Sequence, residues 1–511
     1  MLKLSTSGSR GRAGHRRPRG AWLSVLAVAG VLALAVPTAS APAARAGSHP
    51  AGPAAQATAA GRYYSTTLKY VIRFRARFSS WITQRAVETA GAVNTPVAAR
   101  TGPNGLIGPP VAFVPGPNVD TVYAAITDLD LSQGPQIVTL PPTASRFSVS
   151  NLDVWGDVFT GVPAQPGTYA LALPSWHGTL PPRVTRVNIP YPVSMMFVRA
   201  DRYAHDGADT IAAARAFIAN LHLASLPAYE ANPSSGATKI VPQIALSAST
   251  KVANDLAARL TPTRYLRTLQ NAMHSASTRP LTSSDVAVSN SFDTVFAAAQ
   301  RALRHGNPVP LAQMDRAAGD AQKTIAHSFM SHTIANTDWI YYDNIGQFGT
   351  DSLARSAIAE FAWVSNVPAT ATYYFAYADA CGAALKSRTA YRLTFSKAEV
   401  PDAERFWSMT AYTPPAVALI QWPGVRPTPP SAKNVAAYTP GLVTSPNGSI
   451  TIYIQRKAPA NPSLYPNWLP TPARTGTFAV WLRIYGPTGN TALDQHYVPP
   501  PLHPVGHSCG S

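Results

Sequence analysis

Charge is scarce in this chain: 13% of its 511 residues are Asp, Glu, Lys or Arg, against 46% apolar residues. Acids are scarcest, with 24 Asp and Glu beside 42 Lys and Arg, for a formal net charge of +18. The basic residues stand singly among Pro, Ala and Thr, whereas nucleic-acid binders gather them on one face or in a tight run. The 12 histidines lack metal-ligand spacing: His327 and His332 are five apart, and His503 and His507 sit in a Pro/Gly tail. No glycine-rich loop follows a strand and opens a helix, which argues against a nucleotide cofactor. Cysteine occurs twice, as Cys381 and Cys509.

What stands at the N-terminus is a targeting pattern. Met1 to Gly20 carries Lys3, Arg10, Arg12, Arg16, Arg17 and Arg19 with no acid, and the apolar run Ala21 to Val36 is ended by Pro37. That run is shorter than the roughly 20 residues of a comfortable membrane span, and small residues follow it, as in a secretory signal. A cut after Ala39-Ser40-Ala41 would leave Pro42 first, so the expected cleavage follows Ala44-Arg45-Ala46 and the signal is residues 1–46. Arg16-Arg17 also admits a twin-arginine route, although Pro18 and Arg19 stand where that signal wants apolar residues. Cleavage would leave 35 basic against 24 acidic residues, about +11, which suits an anionic cell envelope. The expected protein is secreted or envelope-associated, without a membrane span after cleavage, and its roughly 465 residues allow two or three domains.

In an oxidising compartment the lone cysteine pair points to a disulfide, Cys381 to Cys509, closing the tail 501–511 onto the last domain; two free thiols are the other reading. Gly506-His507-Ser508-Cys509-Gly510 matches the nucleophile-elbow pattern, but that motif needs a helix after it and only Ser511 follows. It is not read as a hydrolase signal.

Residues 47–61, rich in Ala, Pro, Gly and Ser, read as a disordered leader. Within 62–95, Leu68, Val71, Ile72, Phe74, Phe78, Trp81 and Ile82 recur at helical spacing and predict a packing helix. The segment 96–207 is strand-like: Val122, Ala124 and Ile126 alternate with Tyr123, Ala125 and Thr127, and Gln136 to Leu140 follows the turn Gln133-Gly134-Pro135. Phe147 and Val149 are apolar at odd positions but Leu152, Val154 and Val158 at even ones, so a bulge or strand break is expected near Ser150-Asn151. Beyond it Asn151, Asp153 and Trp155 would share a face; an ordinary sandwich corner is the alternative. Residues 208–362 carry helical stripes, among them Ile211, Ala214, Phe217, Ile218 and Leu221, and form either a separate domain or a layer bridging the β regions. In 363–500 strands return. Ile450, Ile452 and Ile454 alternate with Thr451, Tyr453 and Gln455, while Phe478, Val480, Leu482 and Ile484 make a core face opposite Trp481, Arg483 and Tyr485. Many short strands with Pro/Gly turns indicate a sandwich or jelly roll.

Gly116-Pro117-Asn118-x-Asp120-Thr121-x-Tyr123, Asp128-Leu129, Gly134-Pro135 and Leu152-Asp153-x-Trp155 with Val158-Phe159 resemble the bacterial family of domain of unknown function 1254. Phe406-Trp407-Ser408-x-Thr410-x-Tyr412, Asn447-Gly448-Ser449-x-Thr451-Ile452-Tyr453, Asn467-Trp468-Leu469-Pro470 and Leu482-Arg483-x-Tyr485-Gly486-Pro487 resemble its usual companion, domain of unknown function 1214. The resemblance implies an α+β protein: an N-terminal immunoglobulin-like β-sandwich, a helical middle portion and a C-terminal jelly-roll β-sandwich. It implies no activity. Relatives usually carry an Asn-rich passage with an Arg-Tyr pair between the second family's first two motifs, whereas here Trp422-Pro423-Gly424-Val425-Arg426-Pro427 and Lys433-Asn434 stand in a longer proline-rich loop.

Two chemistries are open to these residues. Asp120 and Asp153, on neighbouring strands, would serve as acid and base of an extracytoplasmic hydrolase or lyase, or with Asn118 and Asp157 hold Ca²⁺ through oxygen ligands. Such Asx residues also commonly cap turns. Alternatively Asn118, Tyr123, Trp155, Trp407, Trp468, Trp481, Arg483 and Tyr485 would bind a small molecule, glycan or cell-wall material, aromatics flooring the pocket and Arg483 fixing an anionic group, unless a helical layer covers them. Binding is preferred, because no nucleophile and base pair is visible.

Overall fold

The computed structural model describes residues 53–100, 116, 118–204, 206–242, 260–278, 280–413, 418–419 and 434–506. Helix α1 (Pro53–Thr89) opens it. Helical structure therefore begins inside the stretch 47–61 that composition marks as a leader. Tyr70, Val71, Phe74, Phe78 and Ile82 form its buried stripe, and side chains of that size each contribute about 1.5–3 kcal/mol when fully buried.

Ten strands follow: β1 (Val97–Arg100), β2 (Thr121–Asp130), β3 (Gln136–Leu140), β4 (Phe147–Leu152), β5 (Val158–Phe159), β6 (Gly167–Ala172), β7 (Thr185–Asn188), β8 (Val193–Asp201), β9 (His222–Ser225) and β10 (Lys239–Pro242). Helix α2 (Ile211–Ala219) precedes β9 and α3 (Leu226–Ala231) follows it. One sheet runs β10-β1-β2-β8-β4-β5 and the other β7-β6-β3-β9. The period-two pattern decides what lies between them: Val122, Ala124 and Ile126 of β2 and Met196, Val198 and Ala200 of β8 meet Val138, Leu140 and Leu171, with Phe217 and Ile218 of α2 completing the core. The opposite face carries Ala125, Leu152, Met195 and Phe197, which pack on Ala76 of α1.

Helices α4 (Pro262–His274), α5 (Ser283–Arg304) and α6 (Val309–Ser331), the short β11 (Trp339–Tyr341) and α7 (Ser352–Phe361) come next. Thr282 and Asp285 form a reciprocal capping box that fixes the start of α5. The stripes of α4, α5 and α6 close over α1, while Ile325 and Phe329 of α6 and Ile358 of α7 pack on the C-terminal strands. Of the segment 208–362, α2, β9 and β10 belong with the N-terminal sheets, and the helices from α4 onward pack on α1 and the C-terminal strands.

The C-terminal part holds β12 (Ala371–Ala376), β13 (Tyr391–Phe395), β14 (Ala403–Thr413), β15 (Ala418–Leu419), β16 (Asn434–Ala436), β17 (Ile450–Gln455), β18 (Trp468–Pro470), β19 (Ala479–Pro487) and β20 (His503–Pro504). The larger sheet runs β11-β12-β19-β14-β15, with β16 also on β14, and the smaller runs β18-β17-β13-β20. Met409, Ala411, Leu482 and Ile484 face Leu393, Ile452 and Ile454 between them.

No bulge interrupts β4, which pairs with β8 without a register shift from Phe147 to Leu152. The apolar phase changes there because the strand ends: Gly156, with φ +92°, closes a turn by donating from its N–H to the Asp153 carbonyl at 3.2 Å. Register shifts occur instead in β2 between Ile126 and Leu129 and in β14 between Ala403 and Phe406.

Candidate functional site

Antiparallel pairing sets Phe406 opposite Tyr485, Ser408 opposite Arg483 and Thr410 opposite Trp481, so one face of β14 and β19 carries all six, with Tyr412 beyond. On the other side of β19, Tyr373 and Phe375 of β12 stand opposite Arg483 and Trp481. This face turns away from the C-terminal core and meets the start of β2 and the C-terminal end of β8. The result is a buried polar seam between the two β portions.

Asp120 is its hub. The carboxylate is fully buried; Oδ2 accepts from Ser408 Oγ at 2.8 Å, and Oδ1 accepts from Asn434 Nδ2 at 2.6 Å and from the Tyr438 hydroxyl. Burial pushes its pKa up, opposed by the Tyr438 hydrogen bond, the charge of Arg483 and the other two donors. Asn118 Oδ1 accepts from the N–H groups of Asp120 and Thr121, each at 3.1 Å, while its Nδ2 donates to the Tyr485 hydroxyl at 2.7 Å. The local turn thereby aims the amide across the seam.

Two arginines lie inside. Arg483, 2% exposed, donates from Nη2 to the Gly116 carbonyl at 2.6 Å and sits 4.9 Å from the Trp481 ring and 5.4 Å from that of Tyr412. The Tyr412 phenol is pushed up to about 12, burial outweighing the opposing charge of Arg483. Arg199 donates to Ser150 Oγ at 3.0 Å, Asn366 Oδ1 at 3.2 Å and the Val364 carbonyl at 2.7 Å, with Tyr123 under its guanidinium at 5.3 Å. Burial, followed by the neighbouring Tyr373 and Tyr123, holds the Tyr485 phenol well above its ordinary range. At the seam's edge Arg405 clasps Asp201 with Nε to Oδ2 at 2.7 Å and Nη2 to Oδ1.

Gly116 is required here. Its φ is +60°, and a Cβ would fall 2.0 Å from the Trp481 ring. Gly116→Ala is expected to destabilise by about 1–2 kcal/mol from the left-handed backbone alone, and by more as Trp481 is displaced. The denaturation midpoint and the tryptophan emission of the folded state check this.

The seam gathers Asn118, Asp120, Tyr123, Trp481, Arg483 and Tyr485. It leaves out Asp153, Trp155, Trp407 and Trp468. Asp153 Oδ1 accepts from the N–H groups of Trp155 and Asp157 at 2.9 Å each, capping the turn after β4. Its pKa is pushed up to about 7, first by burial and then by the Asp157 charge. Thr121 pairs with Asp201 and Leu152 with Met195, so Asp120 and Asp153 lie near positions six residues apart on β8, about 20 Å at the rise of a strand. Carboxylates that far apart cannot flank one scissile bond. Trp155 joins the helical core 5.7 Å from Phe74. Trp407 faces the other way, 5.5 Å from Phe395. Trp468 lies on the smaller sheet, donating to the Gln455 carbonyl at 2.8 Å.

Ser408, Thr410, Tyr412, Asn434, Tyr438 and Arg199 belong to the site without having been expected there. The sequence signal for the first three is the alternation of Phe406, Ser408, Thr410 and Tyr412 in an apolar strand; for Arg199 it is a lone charge inside the apolar run of β8. Among the described residues no three His, Cys, Asp or Glu side chains converge as metal ligands. Among the described residues, too, no helix is long and apolar enough to cross a membrane. Cys381 is disulfide-bonded; the chain's other cysteine, Cys509, lies outside the described residues.

Residues 101–225 match the family described as protein of unknown function (DUF1254), and residues 370–489 match protein of unknown function (DUF1214). The chain carries both domains, in that order. The DUF1254 portion supplies Asn118, Asp120, Tyr123 and Arg199 to the seam; the DUF1214 portion supplies Ser408, Tyr412, Asn434, Tyr438, Trp481, Arg483 and Tyr485. The crystal structure of the VPA0106 protein from Vibrio parahaemolyticus is similar, with a TM-score of 0.54 at 16% identity, covering 87% of this chain and 100% of that one. An uncharacterized protein from Burkholderia cenocepacia matches with a TM-score of 0.40 at 14% identity, covering 88% of this chain and 93% of its own. No curated protein matches the chain.

Proposed function

We propose that this is an exported binding protein, secreted or held at the cell envelope, that takes a small molecule, glycan or cell-wall fragment at the seam between its two β portions. The signal-like residues 1–46 support export. The stacked sheet pairs with inward apolar alternation support reading the DUF1254 portion as an immunoglobulin-like sandwich and the DUF1214 portion as a jelly roll. The observation that carries the binding reading is Arg483. It is a buried guanidinium held between Trp481 and Tyr412, on a surface to which both portions contribute. Aromatic walls around a few convergent polar groups are the usual make-up of a ligand site.

A ligand that binds the native state alone raises the melting temperature in proportion to ln(1 + [L]/Kd). Screening the mature protein against glycans, lipids and divalent cations should yield a compound whose Kd weakens at least tenfold in Trp481→Phe. A hit that binds this variant and the wild type equally would place binding outside the seam and defeat the reading. The N-terminal sequence of the exported protein is expected to begin at Gly47; retention of Met1 would remove the export part.

A further inference from the structure

We infer that the turn joining α5 to α6 rests on an anionic phospholipid surface, with Leu303 and Val309 entering the boundary between headgroups and acyl chains and Arg301 and Arg304 meeting the phosphates; this lies apart from the seam and rests only on the export half of the reading above. The two helices form a hairpin whose turn, His305-Gly306-Asn307-Pro308, is closed by the Asn307 N–H donating to the Ala302 carbonyl at 2.9 Å. The apolar stripe of α5 runs through Phe292, Val295, Phe296 and Ala299 in the helical core. It continues at helical spacing to Leu303, which the core does not cover and which is 46% exposed. Val309, the first residue of α6, is 55% exposed, more than any other large apolar side chain among the described residues.

Positive charge gathers at the same end. Arg301 and Arg304 are exposed and form no ion pair, and residues 294–314 contain neither Asp nor Glu. Helix α4 starts close by, for Thr263 Oγ1 donates to Asp315 Oδ1 at 2.8 Å. It adds the exposed Arg264 and, 5.9 Å from the Phe296 ring, the exposed Arg267. No acidic residue stands in the first turn of α6, so the positive end of its dipole is added to theirs. Arginine in the last turn of a helix also complements that helix's own dipole, but this accounts neither for Leu303 left bare between Arg301 and Val309 nor for Arg264 and Arg267. Basic side chains around exposed apolar ones suit a membrane interface, where burial of apolar area and attraction to anionic headgroups act together. An anionic polymer would reward the charge alone.

The mature protein can be sedimented with vesicles of phosphatidylglycerol and phosphatidylcholine in equal parts and with vesicles of phosphatidylcholine alone. Binding to the mixed vesicles should be at least tenfold tighter and should weaken as salt is added. Arg301→Gln combined with Arg304→Gln should weaken it about 25-fold, at roughly fivefold for each charge near the surface. Leu303→Ser combined with Val309→Ser should weaken it about tenfold or more. All four side chains are exposed, so the melting temperature of the free protein should hardly move in either pair. Vesicle binding unchanged in both pairs overturns the inference, as does wild-type protein that ignores the mixed vesicles. Binding lost with the arginines but kept in Leu303→Ser with Val309→Ser assigns the surface to an anionic polymer and overturns it too. Export fails separately, by retention of Met1, and the seam separately, by a ligand indifferent to Trp481→Phe.

Discussion

Replacing Asp201 with Ala is expected to cost about 3–5 kcal/mol of folding stability, the loss characteristic of stripping one partner from a buried ion pair. The Asp201 side chain is 1% exposed and that of Arg405 9%, so water cannot solvate the guanidinium left behind. The damage is the uncompensated charge, not the lost attraction, and this sets the control. Asp201→Leu combined with Arg405→Met removes both charges and should recover most of the stability, whereas Arg405→Met alone should be about as harmful as Asp201→Ala. Urea midpoints at constant slope measure all four. A double variant no more stable than the singles would show that packing, and not charge, holds this edge.

Acidification from pH 8 to pH 5 is expected to stabilise the fold through Asp153 and Asp128, each with its pKa pushed up to about 7 from 3.8. For Asp128 the cause is burial first, then the charges of Glu88 and Asp130. Between those two values the native state keeps a proton that the unfolded chain releases, so stability falls as pH rises through the window and levels off above about 7. At about 1.4 kcal/mol per unit, each group accounts for on the order of 4 kcal/mol across it. Asp153→Asn isolates one contribution. The amide oxygen can accept the same two N–H groups, so the turn survives while the titration disappears. The variant should be more stable than wild type by a few kcal/mol at pH 8, with the gap shrinking by about 1.4 kcal/mol per unit as pH falls below 7 and closing only near 3.8; a constant difference between pH 8 and pH 5 would show that Asp153 does not titrate in this range.

Strand identity was legible wherever one face of a sheet is apolar. Ile450, Ile452 and Ile454, and Val480, Leu482 and Ile484, lie inward as their alternation demands. The same rule applied to Phe406-Trp407-Ser408 places Trp407 opposite Ser408 and Thr410, on the core face; reading the aromatic cluster as one surface overlooked that parity. Trp155 misled because Asp153, which looks like a strand residue by its neighbours, is the first residue of a turn. The start of α1 was hidden by its Ala-rich composition, which carries no apolar stripe before Tyr63. The seam itself was illegible for a different reason. The hydrogen bonds on Asp120 join residues 288 to 318 positions apart and those from Asn118 to Tyr485 and Arg483 to Gly116 residues 367 apart, and neither local spacing nor propensity encodes such a meeting.

That separation ties the two portions of this chain to each other. Were a gene truncated between them, the first product would carry Asp120 with every donor gone and the second would bare Arg483 and Arg405 to solvent. Either portion alone would demand a rewritten surface, so each acts as the other's missing lining.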